Sequence, residues 1–286
     1  MMRDNYKTVC CRHIIMGFGL CLLLILFMFA GIAWAAQVEG ETTRVHTVEY
    51  GQTADGIIVL RSNKTAPEWV RLYLTDHSND VRTGWQFPAA GTLERSGAQW
   101  IDLMQTEVLL QPGETRSVFY RISVPADPKI QGTYWCSLMI EPQSAKEIPV
   151  EAGKPEEGKF TLALRQVIRS QIALIINVGN TGEKSLAFLE PNLDVTDDGT
   201  VNFSILMENT GERWLNPEVW MEIYDNIGGL VSRIEAGKTR ILPGAAVKRQ
   251  FNLIGIEPGD YQALVFVDDG GDNIFGTMFT LRLTPM

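Results

Sequence analysis

Two stretches of this chain repeat one pattern of residues. Leu110-Gln111-Pro112-Gly113 is followed by Arg116, Phe119, Ile122, Pro125, Gly132 and Tyr134, and Leu242-Pro243-Gly244 by Arg249, Phe251, Ile254, Pro258, Gly259 and Tyr261 in the same order. Upstream, Asn63 to Glu68 and an apolar strand ending at Thr75-Asp76 mirror Asn209-Thr210, Pro217-Glu218-Val219 and Tyr224-Asp225. A fixed order of turn and apolar residues used twice requires two units of one fold.

Period-2 alternation dominates from Arg44 onward, the spacing of strands with one buried face. Ile57, Val59 and their apolar neighbours form one strand, and Trp69 to Leu74 another. Val118, Tyr120, Ile122 and Val124 share one face of a strand that Pro125 ends. Tyr134, Cys136, Leu138 and Ile140 share a face of the next. No stretch beyond the N-terminal segment sustains a 3.6-residue stripe, so the fold class is all-β.

Each repeat is the size of an immunoglobulin-like β-sandwich, with turn signals roughly every ten residues. Gly132-Thr133-Tyr134-Trp135-Cys136 places a tyrosine two residues before a cysteine, the spacing of the tyrosine corner in such domains. The second copy has Ala263 where the first has Cys136, which favours a small buried residue over a reactive thiol. The first domain is expected over 36–178 and the second over 179–286. An excursion over 77–99, holding Trp85, occurs only in the first domain, and 142–159 is expected to be an exposed loop.

Residues 1–35 read as a secretory signal. Arg3, Lys7 and Arg12 precede an apolar run from Ile14 to Ala33, and Ala33-Trp34-Ala35 suits a signal peptidase. The run is also near spanning length, so an uncleaved anchor is the alternative, and the only membrane contact expected. Cleavage removes Cys10, Cys11 and Cys21 and leaves Cys136 alone, so no intrachain disulfide can form. The three basic residues and one acid lost with the signal take the net charge from -9 to -11. That sign argues against nucleic acid and against docking on anionic lipid.

Catalytic signatures are missing. Only His46 and His77 lie beyond the signal, with no HExxH and no Gly-x-Ser-x-Gly elbow. No enzyme activity, metal site or cofactor is expected. Asp268-Asp269-Gly270-Gly271-Asp272-Asn273 has the carboxylates for calcium, yet it lies between two apolar strands, where a hairpin turn needs Gly and Asp anyway. The turn is the preferred reading and calcium stays open.

Two immunoglobulin-like domains behind a signal, without a disulfide, resemble the PapD-like periplasmic chaperones of pilus and fimbrial assembly. Thr43-Arg44-Val45 resembles the family's first strand, whose arginine helps to anchor a subunit's C-terminal carboxylate in the interdomain cleft. Ile57 to Pro67 resembles its second strand and Asn-x-x-x-Pro turn, and Val108 to Pro125 its Leu-x-Pro-Gly strand pair. Phe160-Thr161-Leu162-Ala163-Leu164 resembles the alternating strand lent to an incomplete subunit. Ala173 stands where the family's cleft lysine is expected.

Two functional readings follow. The resemblance implies a periplasmic chaperone-like factor that binds an exported pilin-like or surface subunit by strand addition, with Arg44, Phe160, Leu162 and Leu164 at the partner. The alternative is a structural or adhesive cell-envelope module that binds polysaccharide or another surface protein. Its best residue is Trp135, which alternation sets on the face opposite Tyr134 and Cys136.

Overall fold

The computed structural model describes residues 37–143, 168–197, 200–270 and 274–284. The first sandwich holds β1 (Gln37–Glu39), β2 (Thr43–Val48), β3 (Thr53–Arg61), β4 (Glu68–Thr75), β5 (Ser78–Asp80), β6 (Gly84–Gln86), β7 (Ile101–Leu103), β8 (Glu107–Leu110), β9 (Thr115–Ser123), β10 (Thr133–Gln143) and β11 (Ser170–Val178). The second holds β12 (Leu186–Val195), β13 (Val201–Asn209), β14 (Glu218–Tyr224), β15 (Leu230–Lys238), β16 (Ala246–Asn252), β17 (Gly259–Asp268) and β18 (Ile274–Leu283). Both are all-β, and their described residues pack as one compact unit.

In the first sandwich a back sheet of order β1-β3-β9-β7 faces a front sheet of order β2-β11-β10-β4-β8. The second pairs β12-β13-β16 with β15-β14-β17-β18. The repeat is therefore structural: β3–β9 matches β13–β16, and β4–β10–β11 matches β14–β17–β18. The repeated Pro-Gly explains why this register recurs. Glu114 N–H closes a turn on Gln111 O at 3.0 Å, and Ala245 N–H closes one on Leu242 O at 3.0 Å. Proline presets the first central φ, and the second needs a positive φ, met by Gly113 (φ 73) and Gly244 (φ 76).

Alternation explains the first core. Val118, Tyr120 and Ile122 of β9 are buried, with Phe119 and Arg121 turned outward. They pack between the sheets against Cys136, Leu138 and Ile140 of β10 and Leu174 and Ile176 of β11. The second core gathers Phe203, Ile205 and Met207 of β13 against Val219, Met221 and Ile223 of β14 and Val265 of β17. Tyr261 Oη donates to Glu257 O at 2.9 Å, the tyrosine-corner bond, in the second sandwich. Tyr134 instead packs on Trp100, with ring centroids 4.3 Å apart.

One loop expectation is corrected. The segment expected to be loop from Pro142 onward starts as strand, because β10 continues to Gln143 with Pro142 opposite Val70 of β4. β11 begins opposite Ile140, so no described strand needs the missing Pro142 N–H.

Among the described residues, hydrogen bonds join the two sandwiches at two places, beside an apolar seam at Trp135. At the connection, Thr133 N–H donates to Glu212 O at 2.8 Å and Trp214 N–H to Thr133 Oγ1 at 3.1 Å. The β5–β6 hairpin, part of the 77–99 excursion, makes the second clamp. Val81 N–H donates to Ala246 O and Ala246 N–H returns to Asp80 Oδ2, both at 2.9 Å, while Arg82 reaches Glu208 at 3.3 Å.

Candidate functional site

Among the described residues, the front sheet of the first sandwich has an edge that β2 covers only part of the way. The chain leaves the back sheet after β1, turns at Gly40 (φ 88), and enters the front sheet as β2, which lies parallel to β11. Pairing starts at Thr43 opposite Ala173, where Ala173 N–H donates to Thr42 O at 2.8 Å. Backbone groups two residues apart on a strand point to the same side. The N–H and C=O of Gln171 therefore face the same way as those of Ala173, yet no described strand lies beside them. Upstream, Ile168 is 49% exposed. Arg169 reaches Glu141 at 2.8 Å, and Glu141 also accepts from Tyr73 Oη at 2.8 Å. That hydroxyl bond first, and then Arg169, hold the Glu141 carboxyl below the usual carboxylate range.

Phe160, Leu162 and Leu164 lie outside the described residues. The open edge borders them in sequence, since β11 is the first described strand after them.

Arg44 does not reach the interdomain cleft, contrary to the expectation. It stands opposite Leu174 in the parallel ladder and so shares the inward face of the front sheet with Leu174 and Ile176. Its Nη2 donates to Glu39 O at 3.4 Å, and its buried Nε has no partner. The physical reason is register, because residue 44 follows the same parity as Val48, which packs into the core. Burial first, and then the charge of Arg44, lower the His46 pKa, and His46 Nε2 meets Tyr120 Oη at 2.8 Å. Burial pushes the Tyr120 hydroxyl up to about 12.

The exposed aromatic patch that the adhesive reading needs at Trp135 is absent, and Trp135 is covered by the second sandwich and the 77–99 excursion. Trp135 does stand opposite the Cys136 face, but it is only 6% exposed. It packs with Ile175, Leu242, Ala245 and Trp214 as the apolar seam between the sandwiches, and its Nε1 donates to His77 O at 2.8 Å. Beside this seam runs a cleft of about 640 Å³, lined by Asp80, Glu94, Arg95, Glu208 and Glu212 among others. Arg82 holds the Asp80 carboxyl well below the usual range.

A half-buried aromatic pair lies on the outer face of the second sandwich. Trp220 of β14 stacks on Phe266 of β17 with ring centroids 5.2 Å apart, and Arg233 covers Trp220 at 4.7 Å. On the neighbouring edge strand β18, Met278 is 64% and Ile274 60% exposed.

Cys136 is buried and unpaired, and burial pushes its thiol pKa up. Asp269 accepts from Asn216 N–H and pairs with Lys184, so its carboxylate ties the β17–β18 turn to the rest of the second sandwich. Among the described residues no cluster of three or more metal-type ligands occurs. Nor is any described helix long and apolar enough to cross a membrane.

Sequence reasoning missed the hairpin clamp and the buried His77. One signal was available: an excursion present in only one of two copies has no equivalent place in its own sandwich and is free to reach the other.

No protein-family model matches the chain, and no curated protein does. Solved structures of fimbrial chaperones are similar to it over most of its length. The class 5 fimbriae chaperone CfaA matches at 11% identity and a TM-score of 0.45, covering 88% of this chain and all of its own. The Salmonella enterica SafB chaperone, solved with the SafA pilin, matches at 15% and 0.43, covering 89% and 99%. The CsuC–CsuE chaperone-tip adhesion subunit complex of Acinetobacter baumannii matches at 9% and 0.43, covering 86% and 98%.

Proposed function

We propose that this chain is an exported, non-enzymatic assembly chaperone of the periplasm or cell envelope. It holds a pilin-like or surface subunit by accepting one of its strands at the open edge of β11. The observation that carries this reading is the half-closed edge itself. β2 occupies β11 only from Ala173 onward, and among the described residues no strand pairs the Gln171 backbone in line with β2. β-augmentation supplies the chemistry: backbone hydrogen bonds give affinity, and alternate side chains such as Phe160, Leu162 and Leu164 fill a partner's groove. An unprotected edge is an aggregation hazard unless it has a use. By contrast, the β12 edge of the second sandwich is broken at Glu190-Pro191, where Glu190 has φ 50 and the register shifts.

Affinity purification from the native envelope after mild crosslinking tests the proposal. One exported subunit recovered at about equal stoichiometry supports it; recovery alone or with wall fragments contradicts it.

A second reading has one observation in its favour. The Trp220–Phe266 stack beside Met278 and Ile274 offers an aromatic, apolar face suited to an adhesive module that binds polysaccharide or another surface protein. Co-sedimentation with purified cell wall, lost in Trp220→Ala, is the result that reading requires.

A further inference from the structure

Behind the β5–β6 hairpin, a cavity of about 240 Å³ separates it from the second sandwich. Its walls are His77, Asn79 and Trp85 from the excursion, Lys238 at the end of β15, and Thr239, Arg240 and Leu242 from the segment after it. The polar groups here are unusual in sign: the cavity has three strong donors and no carboxylate.

His77 is the first donor. Gln171 Nε2 donates to Ser137 Oγ at 2.6 Å, and Ser137 Oγ lies 2.8 Å from His77 Nδ1. In the tautomer in which the Ser137 hydroxyl donates to Nδ1, the neutral imidazole carries its own proton on Nε2, and an anion in the cavity selects that tautomer. The ring is 1% exposed, and Nε2 is buried without a partner. Burial, followed by the nearby Arg240 charge, holds the His77 pKa at about 4, so this ring is neutral at neutral pH.

Arg240 is the second. Its guanidinium is partly buried, and burial lowers its pKa. No hydrogen bond or ion pair engages it among the described residues. Leaving an arginine half-desolvated without an acid is costly unless a ligand supplies the charge. Lys238 is the third, and its one acid, Glu218 at 3.3 Å, is largely exposed. Trp85 stacks over His77 with centroids 6.2 Å apart and walls one side.

We infer that this cavity is a binding site for a small oxyanion, a carboxylate or phosphate group, held by His77 Nε2–H, the Arg240 guanidinium and the Lys238 ammonium. The planar guanidinium suits two oxygens of such a group, and the imidazole N–H supplies a directed third bond. The site lies between excursion and second sandwich, so its ligand would join the two halves of the clamp. It touches the β11 edge through the Gln171–Ser137–His77 hydrogen bonds, but its anion-binding groups stand whether or not strand addition occurs there.

Calorimetric titration of the purified protein at low ionic strength, with sodium phosphate in one arm and sodium acetate in the other, tests this. The expected result is saturable binding of at least one anion. Tighter phosphate binding assigns a phosphate-type ligand; tighter acetate binding assigns a carboxylate. Arg240→Gln is expected to weaken binding roughly tenfold to a hundredfold. It should melt no lower than the parent in anion-free buffer, because no described group relies on that charge. Lys238→Gln is expected to weaken binding less, and Arg233→Gln, remote from the cavity, to leave it unchanged. Absence of saturable binding in both arms overturns the inference. So does equal weakening by Arg233→Gln, or unchanged binding in both Arg240→Gln and Lys238→Gln.

Discussion

The N–H of Ala173 donates to the carbonyl of Thr42 at 2.8 Å, and this bond marks where, among the described residues, β2 stops covering the edge of the front sheet of the first sandwich. One step along the ladder, Gln171 presents the same backbone groups to no described strand. The position of this boundary depends on Gly40. Its positive φ lets β2 switch sheets, and a side chain there would press on the Arg44 guanidinium, 3.1 Å from the Cβ position.

The hairpin clamp predicts an acid-sensitive joint. Asp80 is held below its ordinary value first by its bond to Arg82, so its contribution is present above the unfolded carboxylate value and is lost as pH falls through the folded one. Thermal melts of the protein and of Asp80→Asn should differ by about 1 kcal/mol at pH 7. They should converge well below pH 4. X-ray scattering of Asp80→Asn at pH 7 should show a broader distribution of interdomain angles, and an unchanged profile would count against the clamp.

His77 predicts a slope in the opposite part of the scale. An unfolded histidine takes a proton near pH 6.5, whereas folded His77 takes one only near 4. Between those values the unfolded state binds more protons, so stability rises with pH. The full span is worth up to about 3 kcal/mol. His77→Gln should flatten the melting profile between about pH 4.5 and about pH 6, as read by calorimetry in anion-free buffer. A slope that survives the substitution would assign it to other groups.

Cys136 is predicted to be inert. It is buried in the first core, and burial disfavours the thiolate that reagents attack. A thiol reagent should label the native protein negligibly and the denatured protein fully. Cys136→Ala should cost little, since Ala263 fills the matching place in the second core. Cys136→Ser should cost about 1–3 kcal/mol for a buried hydroxyl without a partner.

Gly56 predicts a packing lesion. A side chain at this position in β3 would overlap the Tyr120 ring, whose hydroxyl is held by His46. Gly56→Ala should lose about 1–3 kcal/mol by denaturant unfolding. Tyr120→Leu in the same background should recover part of the loss, because a smaller side chain leaves room for the new methyl.

The all-β class and the doubling were legible because they rest on local signals. Pro-Gly dictates its turn wherever it stands, and alternation assigned Tyr120 and Cys136 to the inside. What was not legible depends on distance in sequence. Asp80 meets Ala246 across 166 residues, and no periodicity announces such a pair. Trp135 was placed on the correct face of β10, yet alternation cannot say that a second sandwich covers that face. Arg44 illustrates the same limit: its position in the chain resembled a cleft residue, while the parity of the β2–β11 register turned it, half-buried, to the inward face of the front sheet.

The most direct measurement compares two substitutions at one residue. Gln171→Ala removes the amide bonded to Ser137 but keeps the backbone N–H; Gln171→Pro removes both, and only the N–H on the open side. Crosslinked affinity purification from the native envelope should recover the partner subunit with Gln171→Ala and lose it with Gln171→Pro, while both proteins stay folded by circular dichroism. Recovery of the subunit with both would show that no partner strand pairs there and would contradict strand addition at β11.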